Sequence, residues 1–136
     1  MSIQNSAEIS HVLGVDFGSS KVGLAVADLE TKIAFALTTL ENNADLMNNL
    51  ARIIAEKEIG KIVVGVTKYA NQEDQEKMTF GERLKEKLNL PVEYQNEIFT
   101  TKMAQDNIKE TGAKNIAQKD DQESAKIILQ SWLDKI

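Results

Sequence analysis

The spacing of apolar and polar positions changes period several times along the chain, and each change marks an element. Residues 1–10 are polar and aperiodic, which predicts a flexible N-terminal arm. The run Val12-Leu13-Gly14-Val15 predicts a buried strand ending at Asp16. Phe17-Gly18-Ser19-Ser20 reads as a turn, with Gly18 free to adopt unusual dihedrals. Residues 22–27 form a second predicted strand, and so short a connection requires antiparallel pairing. A turn at Asp28-Leu29-Glu30 leads into a third strand over residues 33–40, which completes a meander.

The period then becomes helical. Leu46, Met47, Leu50, Ile53 and Ile54 share one face, with Asn43 expected as the cap and Gly60 as the stop. Residues 61–66 are nearly all apolar, the pattern of a strand buried on both faces. Residues 72–88 predict a charged amphipathic helix with Phe80, Leu84 and Leu88 at four-residue intervals. Pro91 opens a strand over 92–95. A short helix is expected over 100–110, stopped by Gly112. A polar loop follows over 115–120, then a final helix over 120–133 whose apolar side carries Ala125, Ile128, Leu129 and Trp132. The order β-β-β-α-β-α-β-α-α predicts an α/β fold. Its mixed five-stranded sheet joins a three-strand antiparallel meander to two parallel strands, with helices on both faces. No repeat or linker interrupts residues 11–136, so one domain is expected there.

Composition narrows the chemistry. There is no cysteine among the 136 residues, which excludes disulfides, thiolate metal sites and cysteine nucleophiles and suits a reducing, cytoplasmic location. No apolar run approaches the ~18–20 residues that span a bilayer, and the N-terminus lacks a signal-peptide pattern, so no membrane is expected. The single histidine, His11, sits at a strand start and reads as a strand-edge imidazole rather than a catalytic base. With 16 Lys plus Arg against 21 Asp plus Glu, the net charge of −5 argues against general nucleic-acid binding.

Three acidic segments carry the candidate chemistry. Asp16 ends a central strand, where an α/β sheet usually faces its ligand. Glu97, in Asn96-Glu97-Ile98, follows the last strand. Asp121 lies at the start of the last helix, where Asp120 and Glu123 read as a capping box and leave Asp121 free to face the crevice. Each has an ordinary explanation: a hairpin aspartate, a charge on a helix dipole, a helix start. Together they suggest three carboxylates on one rim. Such clustering would raise at least one pKa unless a divalent cation neutralised it. Two Mg²⁺ ions about 4 Å apart can drive phosphodiester hydrolysis.

The segments 14–28 (GVDFGSSKVGLAVAD), 62–66 (IVVGV), 90–101 (LPVEYQNEIFTT) and 119–134 (KDDQESAKIILQSWLD) together resemble the YqgF/RuvX family. The resemblance spans nearly the whole chain after residue 10. It implies a ribonuclease H-like fold and a cytoplasmic nuclease, either one maturing the 5′ end of pre-16S rRNA or a Holliday junction resolvase. It also implies Mg²⁺ or Mn²⁺ held by Asp16, Glu97 and Asp121, with Asp16 bridging. Lys21 and Lys102 are the implied phosphate contacts, with Lys68 and Lys119 weaker candidates. The implied partner is structured nucleic acid, foremost pre-rRNA, together with ribosomal particles, and the chain would act as a monomer or homodimer. There are departures. Asn96 replaces the motif's Asp, Ile98 its Arg, Lys21 the Arg of the glycine loop, and Thr67 a Pro. Losing Arg at Ile98 removes a planar phosphate clamp, so a binder of the same fold without activity is the alternative. An actin-like nucleotide-binding reading of the Asp-x-Gly-Ser turn would need a second domain that this length does not hold.

Overall fold

The computed structural model describes residues 11–66, 72–96 and 116–136. Five strands run as β1 (His11–Phe17), β2 (Lys21–Asp28), β3 (Ile33–Glu41), β4 (Ile59–Val66) and β5 (Val92–Asn96). Among the described residues three helices occur, α1 (Leu46–Glu56), α2 (Gln72–Leu88) and α3 (Ile116–Leu133). The sheet order is β3-β2-β1-β4-β5. β1–β2 and β2–β3 are antiparallel, whereas β1–β4 and β4–β5 are parallel. This is the mixed sheet that the change of period predicts. The arm and the helix expected over 100–110 lie outside the described residues.

Side-chain alternation divides the core in two. Leu13, Val15, Val22, Leu24, Ile62 and Val64 face α1 and α2. Val12, Ala25, Ala27 and Val63 face α3, which buries Ala125, Ile128, Leu129, Trp132 and Leu133 against them. Each fully buried Leu or Ile contributes about 1.5–3 kcal/mol, so α3 is held chiefly by its apolar stripe. Trp132 belongs to this core, and its indole N–H donates to Glu93 at 3.0 Å. The apolar end of α3 is therefore interior.

Three local expectations are corrected. Asn43 does not cap α1. Its side chain accepts from the Asp45 amide at 2.9 Å, and Asp45 takes the cap position without a side-chain bond. The short polar side chain prefers its own local turn to the helix amides. Gly60 does not stop α1 either, because Glu58 turns the chain with φ 53° and Gly60 already lies in β4. Finally, α3 begins at Ile116 rather than Asp120, so there is no capping box at Asp120 and Glu123. Glu123 sits inside the helix, 3.9 Å from Lys126 one turn on. An acid three residues after another acid is also an ordinary spacing within a helix, and the local pattern cannot tell the two apart.

Candidate active site

The site starts from the alternation of β1. Val12, Gly14 and Asp16 share the α3 face, because a β-strand returns to the same side every second residue. Asp16 is the direct cross-strand partner of Gly23. In an antiparallel pair such partners lie only about 4.5–5.5 Å apart and project to the same side. A Cβ on Gly23 would stand 2.0 Å from the backbone oxygen of Asp121 and 3.0 Å from the Gln122 nitrogen. The second turn of α3 therefore rests directly on Gly23, the partner of Asp16. Only glycine permits that approach. Ser124 and Ala125, both buried, continue the close seat, and the Ala125 carbonyl lies over Gly14. These small side chains let α3 lie close to the sheet.

The Asp121 backbone thus lies over Gly23, the cross-strand partner of Asp16, toward the carboxyl end of the central strand. Glu97 follows β5 but lies outside the described residues. β5 directs Gln95 to the α3 side, where Lys135 donates to it at 3.3 Å. Among the described residues, no three Asp, Glu or His side chains form a group able to hold a metal ion.

Electrostatics at the rim centre on Lys21. It lies two residues from Gly23 and so on the same face, and it bonds Glu41 at 2.6 Å across the β2–β3 pair. The hydrogen bond that Lys21 donates to Glu41, then the Glu41 charge, raises the Lys21 pKa, with a smaller contribution from Asp121. Partial burial pushes the Asp121 carboxyl above its ordinary value, and the Lys21 ammonium opposes that only in part. Glu41 was not a candidate from the sequence, since its role depends on register. Asp28 pairs with Ile33, which in an even ladder would place Leu40 opposite Lys21. A bulge that skips Leu37 brings Glu41 there instead. Gln122 accepts from the Thr39 hydroxyl at 3.2 Å and helps fix the start of α3 over this edge. Lys102 and Lys68 lie outside the described residues, as does the side chain of Lys119. Asn96 closes β5 opposite Val66, and Ile98 is not among the described residues.

The raised Asp121 carboxyl sets a pH dependence. An acid whose folded pKa exceeds its unfolded value of about 3.9 favours folding below that value. The favour is lost as pH rises through the folded pKa, so at neutral pH ionised Asp121 opposes folding. In chelator, Asp121→Asn is therefore expected to melt a few degrees higher than the parent at neutral pH. The difference should shrink to nothing on acidification below the ordinary carboxylate range. Melting curves across pH check this, and equal melting temperatures at neutral pH would contradict it.

A five-stranded mixed sheet of this order, with helices on both faces, defines the ribonuclease H-like fold. The same fold occurs in Thermus thermophilus RuvC in complex with a Holliday junction substrate. That match has a TM-score of 0.60 and 17% identity over 92% of this chain and 94% of that one. It occurs equally in the fowlpox virus resolvase with Holliday junction DNA, with a TM-score of 0.60, 15% identity and coverage of 92% and 97%. The chain belongs to the RuvX family, described as Holliday junction resolvase, whose sequence model matches residues 10–135. A relative from Porphyromonas gingivalis, named "Putative pre-16S rRNA nuclease", is 33% identical over 135 residues, covering 93% of this chain and 97% of its own length.

Proposed function

We propose that this chain is a divalent-metal-dependent endonuclease that hydrolyses phosphodiester bonds in structured RNA, with the 5′ end of pre-16S rRNA as its substrate. The observation that supports this reading is the seat of α3 on Gly23, the cross-strand partner of Asp16, with the Asp121 backbone as the point of contact. Similarity to the pre-16S rRNA nucleases supports the choice of RNA.

The residues present fit a hard cation. Asp16 and Asp121 offer only oxygen donors, as Mg²⁺ or Mn²⁺ prefers, and the raised Asp121 carboxyl is a site that positive charge would relieve. Asp16, Asp121 and Glu97 would hold the metal. When bound, it would activate water and stabilise the leaving oxygen. The chain's own groups do the rest. The Gly23 contact fixes the two aspartates relative to each other through backbone rather than flexible side chains. Lys21 contacts a phosphate oxygen of the substrate from the same face, and Lys102 contacts another. The net charge of −5 leaves little general attraction for nucleic acid, so affinity rests on these few groups and on a shaped substrate. The activity belongs in the cytoplasm, and no described helix is long and apolar enough to cross a membrane.

Incubating the protein with a pre-16S rRNA leader tests the proposal. Cleavage near the mature 5′ end is expected with millimolar Mg²⁺ or Mn²⁺ and none with chelator, while a four-way DNA junction is cut more slowly. Undiminished cleavage in chelator would overturn the metal requirement, and faster cutting of the junction would overturn the RNA assignment. A binder without activity is the second reading, favoured by the bond that ties Lys21 to Glu41. RNA binding with no cleavage under either metal would establish it.

A further inference from the structure

A cleft opens on the other side of the sheet from α3, at the same end. It has a volume of about 530 Å³ and lies between the start of α1 and the first half of α2, and Phe17 forms part of its wall. Phe17 is the residue after Asp16. The two sit one position apart on β1 and project to opposite faces, so the cleft and the carboxylates share one strand end. They also share a turn. Asn42, on the cleft wall, donates its side-chain N–H to the Gly18 carbonyl at 2.7 Å and its amide to the Ser20 carbonyl at 2.9 Å.

The lining is of three kinds. One is aromatic and apolar: Phe17 is partly exposed and backed by Phe80, with ring centroids 4.3 Å apart, and Met47 lies alongside. Another is neutral and polar, from Asn42, Asn43, Gln75 and Thr79, which offer donors and acceptors of both signs. The last is charged. Arg83 is accompanied by a single acid, Glu76. Asp45 holds the N-cap of α1 and its carboxylate offsets the positive end of that helix, so Arg83 is the cation that lines the cleft.

The geometry points to a subsite for one unpaired nucleotide of the nucleic-acid strand whose phosphodiester lies at Asp16 and Asp121. This deepens the nuclease reading and rests on it. A base stacks on an aromatic wall whatever its identity, and its edge is satisfied by amide and hydroxyl groups. A diester carries one negative charge, which Arg83 can balance. The terminal phosphate of a free nucleotide carries nearly two, and Glu76 opposes the excess. The cleft volume is within the ordinary range for small-ligand sites. A strand crossing the rim at Phe17 would leave one nucleotide in the cleft while its neighbour meets the carboxylates.

Amide chemical shifts of the full chain provide the test, without metal and without cleavage. A five-nucleotide single-stranded RNA is expected to shift the amides of Ala44, Met47, Thr79 and Arg83. A nucleoside 5′-monophosphate should do so at least about tenfold more weakly, the ~1.4 kcal/mol that separates one decade of affinity. Ala44→Trp fills the cleft from an exposed position, and Arg83→Gln removes the cation from an exposed helix position. Each should weaken the RNA response about tenfold with the remaining spectrum intact. Absence of shifts at these amides, or equal response in both variants, would overturn the subsite. A monophosphate that binds as tightly as the RNA would overturn the strand assignment in favour of a free-nucleotide site. Cleft shifts retained by a chain that cuts no RNA would sink the nuclease reading instead, so the two failures are separable.

Discussion

Gly23→Ala is expected to destabilise the protein by about 3 kcal/mol or more, at the upper end of overpacking costs. The added methyl would lie 2.0 Å from the Asp121 oxygen and 2.3 Å from its carbonyl carbon. Both are backbone atoms, so no rotamer change relieves the clash and α3 must move as a unit. That movement separates Asp121 from Asp16 and loosens the packing of Ala125 and Leu129 on β1. A displacement near 1 Å costs about 10²-fold in a positioned reaction, so cleavage should fall by at least that factor in the fraction still folded. The melting temperature should drop by roughly 8–15 °C for a chain of this size. Thermal unfolding and cleavage of the same preparation check both. A variant within about 1 kcal/mol of the parent would show that α3 does not rest on Gly23 as described.

Asp16→Asn separates chemistry from stability. The substitution keeps the shape and removes one carboxylate charge beside Asp121. Single-turnover cleavage should fall about 10³-fold, equivalent to ~4 kcal/mol at the barrier. Stability in chelator should change far less than cleavage, because the substitution keeps the size and shape of the side chain. The parent should gain stability on adding Mn²⁺, about 2.7 kcal/mol at a hundredfold excess over Kd, and the variant should lose most of that gain. Cleavage within tenfold of the parent would remove Asp16 from the machinery. An unchanged response to Mn²⁺ would remove it from the metal site. With Gly23→Ala, the pair distinguishes a residue that acts from one that sets the distance between two others.

Much of the architecture was legible because strand and helix leave different periods. The buried run at 61–66 and the meander before it could hardly be arranged otherwise. Element ends were less legible. Asp120 and Glu123 have capping spacing, yet α3 starts earlier, at Ile116. Gly60 looked like a stop, yet Glu58 makes the turn. In both cases a local signal had two physical meanings, and tertiary packing chose between them.

The site divides in the same way. The sequence by itself determined which groups are available: carboxylates at 16, 97 and 121, one glycine at 23, small residues at 124 and 125, no thiol and one imidazole. It also determined the alternation that commits Val12, Gly14 and Asp16 to one face. Only the tertiary structure decided which of these meet. The backbone of Asp121 touches Gly23 because the apolar stripe of α3 seeks the sheet and glycine leaves no side chain to stop it. Lys21 meets Glu41 rather than Leu40 because one bulge shifts the β3 ladder. The aromatic wall of the cleft exists because Phe17 and Phe80, far apart in the chain, stack against each other. Contacts of this kind depend on register and packing between distant segments, and a linear pattern of residues does not encode those distances one segment at a time.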